Sequence, residues 1–209
     1  MSAAALLLSV ATIHLVAMAS PGPNVLVVTQ TAMSRSERSA LAVALGVATG
    51  SLILSTLAAV GLGLVFEQAS WLRHGIQVAG GAYLVYLGIR VWLGAGEPPP
   101  SPEPSGRPAE DSPRRLYLRG LLTNLTNPKA AVFFGSILAP VLDSAGADWV
   151  VVAAIAVIVF NALWWHCLLA VLFGRPSVRR WYGRSKRLID RLVGGLLALL
   201  GLRLAAYPL

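Results

Sequence analysis

Ala17-Met18-Ala19-Ser20-Pro21-Gly22-Pro23-Asn24-Val25-Leu26-Val27-Val28 sets two prolines and a glycine inside an apolar tract. Further along, Leu121-Leu122-Thr123-Asn124-Leu125-Thr126-Asn127-Pro128-Lys129-Ala130-Ala131-Val132 sets a proline and a lysine inside another. Proline lacks an amide hydrogen and its ring clashes with the preceding turn, while glycine lets the chain turn sharply. Each tract is therefore predicted to form two half-helices separated by a break. Near the first break the carbonyls around Met18 and Ala19 lose their helical partners, and Asn24 opens the second half-helix as its expected side-chain cap. The N-terminal end of that half-helix presents a positive dipole, suited to an anionic group such as a carboxylate.

The medium around these breaks follows from composition. Of 209 residues, 56% are hydrophobic and only 12% charged, against roughly 25% charged in soluble domains. The charges are clustered, and the tracts between clusters reach the roughly 20 apolar residues that a helix needs to cross a bilayer core. Six spans are predicted, over 4–33, 40–66, 72–93, 117–142, 149–173 and 188–206. Between the third and fourth, 97–113 holds seven prolines, a density that forbids helix and reads as a solvated, extended linker. The expected organisation is a three-helix unit over 1–93, a Pro-rich cytoplasmic linker over 94–116 and a second three-helix unit over 117–209. The fold class is all-α, a polytopic membrane protein. Ala17-Met18-Ala19 resembles a signal-peptidase site, yet no Lys or Arg precedes Arg35. The first tract is read as an uncleaved span.

Net charge is +8, which in a soluble protein would suggest nucleic acid. Here the basic residues flank apolar spans and set topology instead, so no nucleic-acid partner is expected. Of the 17 Lys and Arg, 14 fall in or beside the first, third and fifth loops, including Arg35, Arg114, Arg115, Arg179, Arg180 and Arg184. Positive charge stays inside, so those loops are assigned to the cytoplasm and both termini to the outside. Most tryptophans, among them Trp92, Trp149 and Trp181, lie near span ends, as an interfacial belt requires. The stretch 178–188 mixes Arg with Trp181 and Tyr182 and reads either as an amphipathic surface segment or as a linker.

An internal match supports two related halves. Gly81, Gly88 and Arg90 in the third span have the same spacing as Gly194, Gly201 and Arg203 in the sixth. The first span of each half carries the central break. Halves of three spans insert with opposite orientations, and such a 3+3 inverted repeat with broken helices is a recurring design of secondary transporters.

Lys129 lies roughly twelve residues from either end of its span, near mid-bilayer at about 1.5 Å per residue. A lysine that deep should face a polar cavity, or else bond a carbonyl that holds the broken helix together. Pro21, Gly22, Pro23, Asn24, Asn124, Asn127, Pro128 and Lys129 are thus the candidate binding residues. His14, Gln30, Asn161 and His166 also lie within spans and are candidate lining groups, although an intramembrane histidine is commonly bonded to a nearby carbonyl. Ala42, Gly46 and Gly50 form a small-residue face for close helix packing; whether within one chain or between copies in a homo-oligomer stays open. Cys167 is the sole cysteine and reads as a small core residue. No acidic residue is placed clearly at mid-membrane and no ligand cluster is visible, so no metal or cofactor is expected.

At Pro21-Gly22-Pro23-Asn24 and Asn124-Leu125-Thr126-Asn127-Pro128-Lys129-Ala130 the sequence resembles the LysE/RhtB family of amino-acid exporters. Gly46-Val47-Ala48-Thr49-Gly50 and Gly80-Gly81-Ala82-Tyr83-Leu84-Val85-Tyr86-Leu87-Gly88 are similar too, and the Pro-rich third loop is where the chain departs. The resemblance implies a bacterial inner-membrane exporter of amino acids or close derivatives, driven by the proton gradient as an antiporter. The family includes exporters of lysine, arginine, homoserine, threonine and branched-chain amino acids. Lacking a mid-membrane acid to pair a cationic side chain, this chain is expected to prefer neutral substrates. In the expected alternating-access cycle Asn24 and nearby amides hold the substrate carboxylate, Asn127 adds hydrogen bonds and Lys129 supplies positive charge. The alternatives are an ion or metal exporter on a related scaffold, which needs clustered carboxylates, histidines or thiols, and a non-transporting membrane scaffold or membrane enzyme. An enzyme would need convergent acid–base or nucleophilic groups at a membrane face.

Overall fold

Prolines set the helix starts. A proline at the first helical position gives up an amide that would be unpaired anyway and presets the backbone angle. Pro23, Pro113, Pro128 and Pro176 each occupy that position in the computed structural model, which describes residues 2–19, 22–68, 70–96, 112–138 and 146–206. Pro21 and most of the predicted Pro-rich linker lie outside the described residues.

All regular structure among the described residues is helical. The helices are α1 (Ala3–Ala19), α2 (Pro23–Ser34), α3 (Glu37–Gln68), α4 (Ser70–Leu93), α5 (Pro113–Leu125), α6 (Pro128–Val132), α7 (Asp148–Phe173) and α8 (Pro176–Ala206). A π-helical turn, Phe133–Leu138, continues directly from α6. By length and composition Glu37–Val60 and Asp148–Phe173 can each cross a bilayer. The pair α1 and α2, whose axes differ by 59°, makes a third span if read as one. Leu8, Leu57, Val152, Phe160 and Leu199 are among many large apolar side chains left exposed. That inversion of the usual surface suits a hydrocarbon solvent.

Two helix pairs approach to backbone contact. In the first, α3 and α5 run side by side in the same direction, with Gly46 against Tyr117 and Leu121, and Gly120 against Val43. The small-residue face of the second predicted span therefore packs within the chain. In the second pair, α4 and α8 run antiparallel, with Gly81 facing Gly201 and Gly88 facing Gly194. The two matching glycine motifs of the sequence thus meet each other. A methyl group on Gly88 would lie 2.5 Å from the Gly194 carbonyl oxygen, and one on Gly201 2.5 Å from that of Gly81. Helices α1 and α2 lie along α7, with Leu6 and Val10 packed among Ala154 and Ile158, and Val27 and Val28 among Leu169 and Ala170.

The segment 178–188 is helix, continuous with the sixth predicted span inside α8, so the linker reading of that stretch gives way. Phe173 and Tyr182 meet edge to face there, 5.0 Å between ring centroids. Buried Asp190 pairs with Lys186 and accepts a hydrogen bond from the Gly96 amide at 3.3 Å. Gly96 itself has φ of +89°, a left-handed conformation that favours glycine.

Candidate translocation site

Both predicted breaks are present, but they are capped differently. At the second, the Asn127 side-chain oxygen accepts from the Lys129 amide at 3.0 Å and Pro128 starts α6, so one free amide finds a side-chain partner. At the first, the cap is Gly22, in an extended conformation and without any side-chain bond. Sequence reading assigns that cap to Asn24; it cannot serve because Pro23 is already the first helical residue, which puts Asn24 inside the first turn. Released from capping, Asn24 leaves its Oδ1 buried with no partner among the described residues.

The two breaks meet. The Lys129 ammonium donates to the Ala17 carbonyl at 3.2 Å, so a lysine of the second break occupies a carbonyl at the end of α1. Both sequence readings of Lys129 apply, since it also borders a cavity of about 40 Å³. His14 and Met18 of α1, Asn24 of α2, Ser51 of α3, Asn124 of α5 and His166 of α7 share that cavity with Asn127 and Lys129. Phe133 and Phe134, from the π-helical turn, wall one side and stand 5.2 Å and 6.1 Å from the His14 ring. The wider π turn follows the break directly, and both phenylalanines are buried beside it.

Hydrogen bonds fix how the polar groups point. Asn124 Nδ2 donates to the Val47 carbonyl at 2.6 Å and to the Ser51 hydroxyl at 2.8 Å, which leaves its Oδ1 as a buried acceptor without a partner. Asn127 spends its oxygen on the Lys129 amide, leaving Nδ2 as a buried donor without a partner. His14 Nδ1 and His166 Nε2 are likewise buried and unpartnered among the described residues. Buried polar atoms are rarely left unmet, and five of them at one small chamber mark a place built to receive a polar guest.

Not every predicted lining group is there. Asn161 donates to the Ala11 carbonyl at 3.1 Å and ties α7 to α1; it does not border the cavity, and neither does Gln30. Ser51, Phe133 and Phe134 do border it without having been singled out by sequence reading. Among the described residues no three His, Cys, Asp or Glu side chains converge as a metal site.

Asn124 makes the strongest tie between the site and the α3–α5 pair. In Asn124→Ala the Val47 carbonyl and Ser51 hydroxyl each lose the hydrogen bond from the Asn124 amide, which should lower stability by about 1–3 kcal/mol. Thermal unfolding of the detergent-solubilised variant would register this as a reduced melting temperature, together with weakened ligand binding.

A small cavity lined by buried polar atoms where two interrupted helices meet, in a body whose outside is leucine, valine and phenylalanine, is the architecture of a membrane transporter. The LysE type translocator family model matches residues 15–207, and the chain belongs to that family. It is 39% identical over 204 residues to the threonine efflux protein of Escherichia coli (strain K12), covering 95% of this chain and 97% of that one. Identity to the threonine efflux protein of Salmonella typhi is 37% over 202 residues, covering 95% and 97% of the two chains. The homoserine/homoserine lactone efflux protein of Salmonella typhimurium is 34% identical over 118 residues, covering 56% of this chain and 55% of that one. No solved structure matches the chain.

Proposed function

We propose that the protein exports threonine and similar small neutral amino acids from the cytoplasm across the bacterial inner membrane, by alternating access coupled to proton movement. The observation that carries this reading is the cavity at which the two breaks meet, lined by residues with both buried donors and buried acceptors that have no partner among the described residues. An amino-acid zwitterion needs both. Its carboxylate suits the Lys129 ammonium and Asn127 Nδ2; its ammonium suits Asn124 Oδ1 and Asn24 Oδ1. In this reading Asn24 faces the ammonium where the sequence expectation gave it the carboxylate.

Selectivity for neutral side chains follows from the same lining. Among the described residues the cavity has no carboxylate to pair a second cation, and Met18, Val25, Phe133 and Phe134 offer apolar wall. The relatives named as threonine efflux proteins supply the substrate of first choice. At about 40 Å³ the chamber holds roughly three waters, too little for an amino acid, so it must widen to admit one.

Six spans in a 3+3 inverted repeat accommodate that opening, with halves over 1–93 and 117–209 joined by the linker over 94–116. The odd loops lie in the cytoplasm and both termini outside, a placement that the distribution of Lys and Arg supports. Support comes from the reciprocal glycine contacts of α4 and α8, and from the like arrangement of α1–α2 on α7 and of α5–α6 on α3. Each broken helix then packs on the middle helix of the other half, and rocking of the halves exposes the chamber alternately.

The test is counterflow: proteoliposomes loaded with unlabelled threonine should accumulate labelled threonine well above protein-free vesicles. Unlabelled serine and homoserine should compete, and lysine and glutamate should not. Exchange no faster than in empty vesicles for every neutral amino acid tried would end this reading.

A further inference from the structure

Among the described residues, three proton-binding side chains border the cavity: His14 from α1, Lys129 from α6 and His166 from α7. Only for His166 does the geometry fix which atom is available. Its Nδ1 lies 2.7 Å from the Ala162 carbonyl oxygen. A carbonyl can only accept, so Nδ1 carries the hydrogen. A neutral imidazole has one ring hydrogen, and Nε2 therefore carries a lone pair. That Nε2 is buried, has no partner among the described residues and belongs to a ring on the cavity wall.

We propose that His166 Nε2 is the point at which a proton and the substrate's α-ammonium exclude each other, and hence the exchange site of proton-coupled export. The proposal rests on the amino-acid reading given above. Neutral His166 accepts an N–H from the ammonium. Protonated His166 has donors on both nitrogens and a positive charge, so it offers the ammonium nothing and repels it. One lone pair serves two occupants, and they cannot be bound together.

Antiport follows when the chamber reorients only with one of the two occupants bound. With the chamber open to the cytoplasm, the arriving ammonium replaces a proton that leaves Nε2 for cytoplasmic water. With the chamber open outward, the amino acid departs and a proton from external water takes the lone pair. On the cytoplasmic side the Nε2–H bond breaks and the proton joins a water; on the outer side a hydronium O–H breaks and Nε2–H forms, so each proton gained on one side is released on the other.

The surroundings leave few competitors. Among the described residues, the facing titratable group from α1 is His14, tilted against Phe133 and Phe134, and from α6 it is Lys129. Helices α2 and α3 contribute Asn24 and Ser51, which do not titrate in the working range. Glu37 of α3 lies beside Gly174, about 12 Å along α7 from His166 at about 1.5 Å per residue. Half-buried Cys167 is next to His166 on α7 but does not border the cavity.

Calorimetry of threonine binding to the purified protein, from about pH 8 down to the most acid pH at which it stays folded, tests the site. The dissociation constant should rise with falling pH, approaching about tenfold per unit on the acid side of the imidazole titration. Binding there should release about one proton, seen as a dependence of the heat on buffer ionisation enthalpy. In His166→Gln, and in His166→Asn should the first variant fold poorly, both the pH slope and the proton release should vanish, whatever affinity remains. A flat wild-type profile without proton release overturns the proposal by itself. So does a slope that persists in the His166 variants or disappears instead in His14→Gln. Failure of the wild type to bind any amino acid at any pH sinks the substrate reading, and this proposal with it.

Discussion

Replacing Lys129 by methionine is expected to reduce threonine counterflow by about 10- to 100-fold. Methionine keeps much of the apolar stem and removes the charge. A hydrogen bond to a charged group contributes about 1.5–3 kcal/mol, and 1.4 kcal/mol is a factor of ten in affinity, which gives that range. The ammonium does two things here: it reaches the Ala17 carbonyl across the breaks and it faces the cavity. The two roles separate experimentally. Loss of the carbonyl bond alone would lower the melting temperature and leave the threonine dissociation constant near its wild-type value. Loss of a carboxylate partner raises that constant and leaves a substrate analogue without a carboxylate unaffected. Unchanged exchange in the variant would remove Lys129 from the translocation site.

How much of this site can be read from the chain depends on what marks a residue in one dimension. Proline within an apolar tract is conspicuous because the backbone chemistry is independent of context, and both breaks lie where Pro23 and Pro128 place them. Lys129 is conspicuous because hydrocarbon tolerates an ammonium poorly. Direction around a helix is less accessible. His166 and Asn161 stand five positions apart on α7, about 140° around the axis at 3.6 residues per turn; the first borders the cavity and the second bonds α1. Gln30 stands six positions beyond Asn24 on α2, about 9 Å further along, and misses the chamber. Ser51 and the two phenylalanines carry no local mark at all. A serine in an apolar helix commonly bonds its own backbone, as Ser51 also does to Val47, and phenylalanine reads as core anywhere. The glycine repeat shows a further limit: spacing reveals that Gly81–Gly88 and Gly194–Gly201 match, whereas their mutual contact is a property of the folded chain.

The largest effect on folding is expected at the α3–α5 contact, from Gly120→Leu. A Cβ on Gly120 would lie 2.0 Å from the Val43 carbonyl oxygen, and one on Gly46 would lie 2.0 Å from that of Tyr117. Both obstacles are backbone, so no change of rotamer relieves them, and the helices must separate. Overpacking typically costs about 1–3 kcal/mol even where side chains can yield, and a leucine wedged between two backbones should exceed that range. Separation also reaches the site, because Asn124 is four residues along α5 from Gly120, on the same face one turn away. Its bonds to Val47 and Ser51 require the close approach that Gly120 permits. Gly120→Leu should therefore yield little monodisperse protein after solubilisation. Gly120→Ala should give protein with a lowered melting temperature and weakened threonine exchange. Gly183→Ala is the comparison, since a Cβ there meets nothing within 4 Å and alanine favours helix by about 1 kcal/mol over glycine; its stability should equal or exceed wild type. If Gly120→Leu and Gly183→Ala melt at the same temperature, the backbone contact between α3 and α5 does not hold the site together, and the orientation of Asn124 must have another cause.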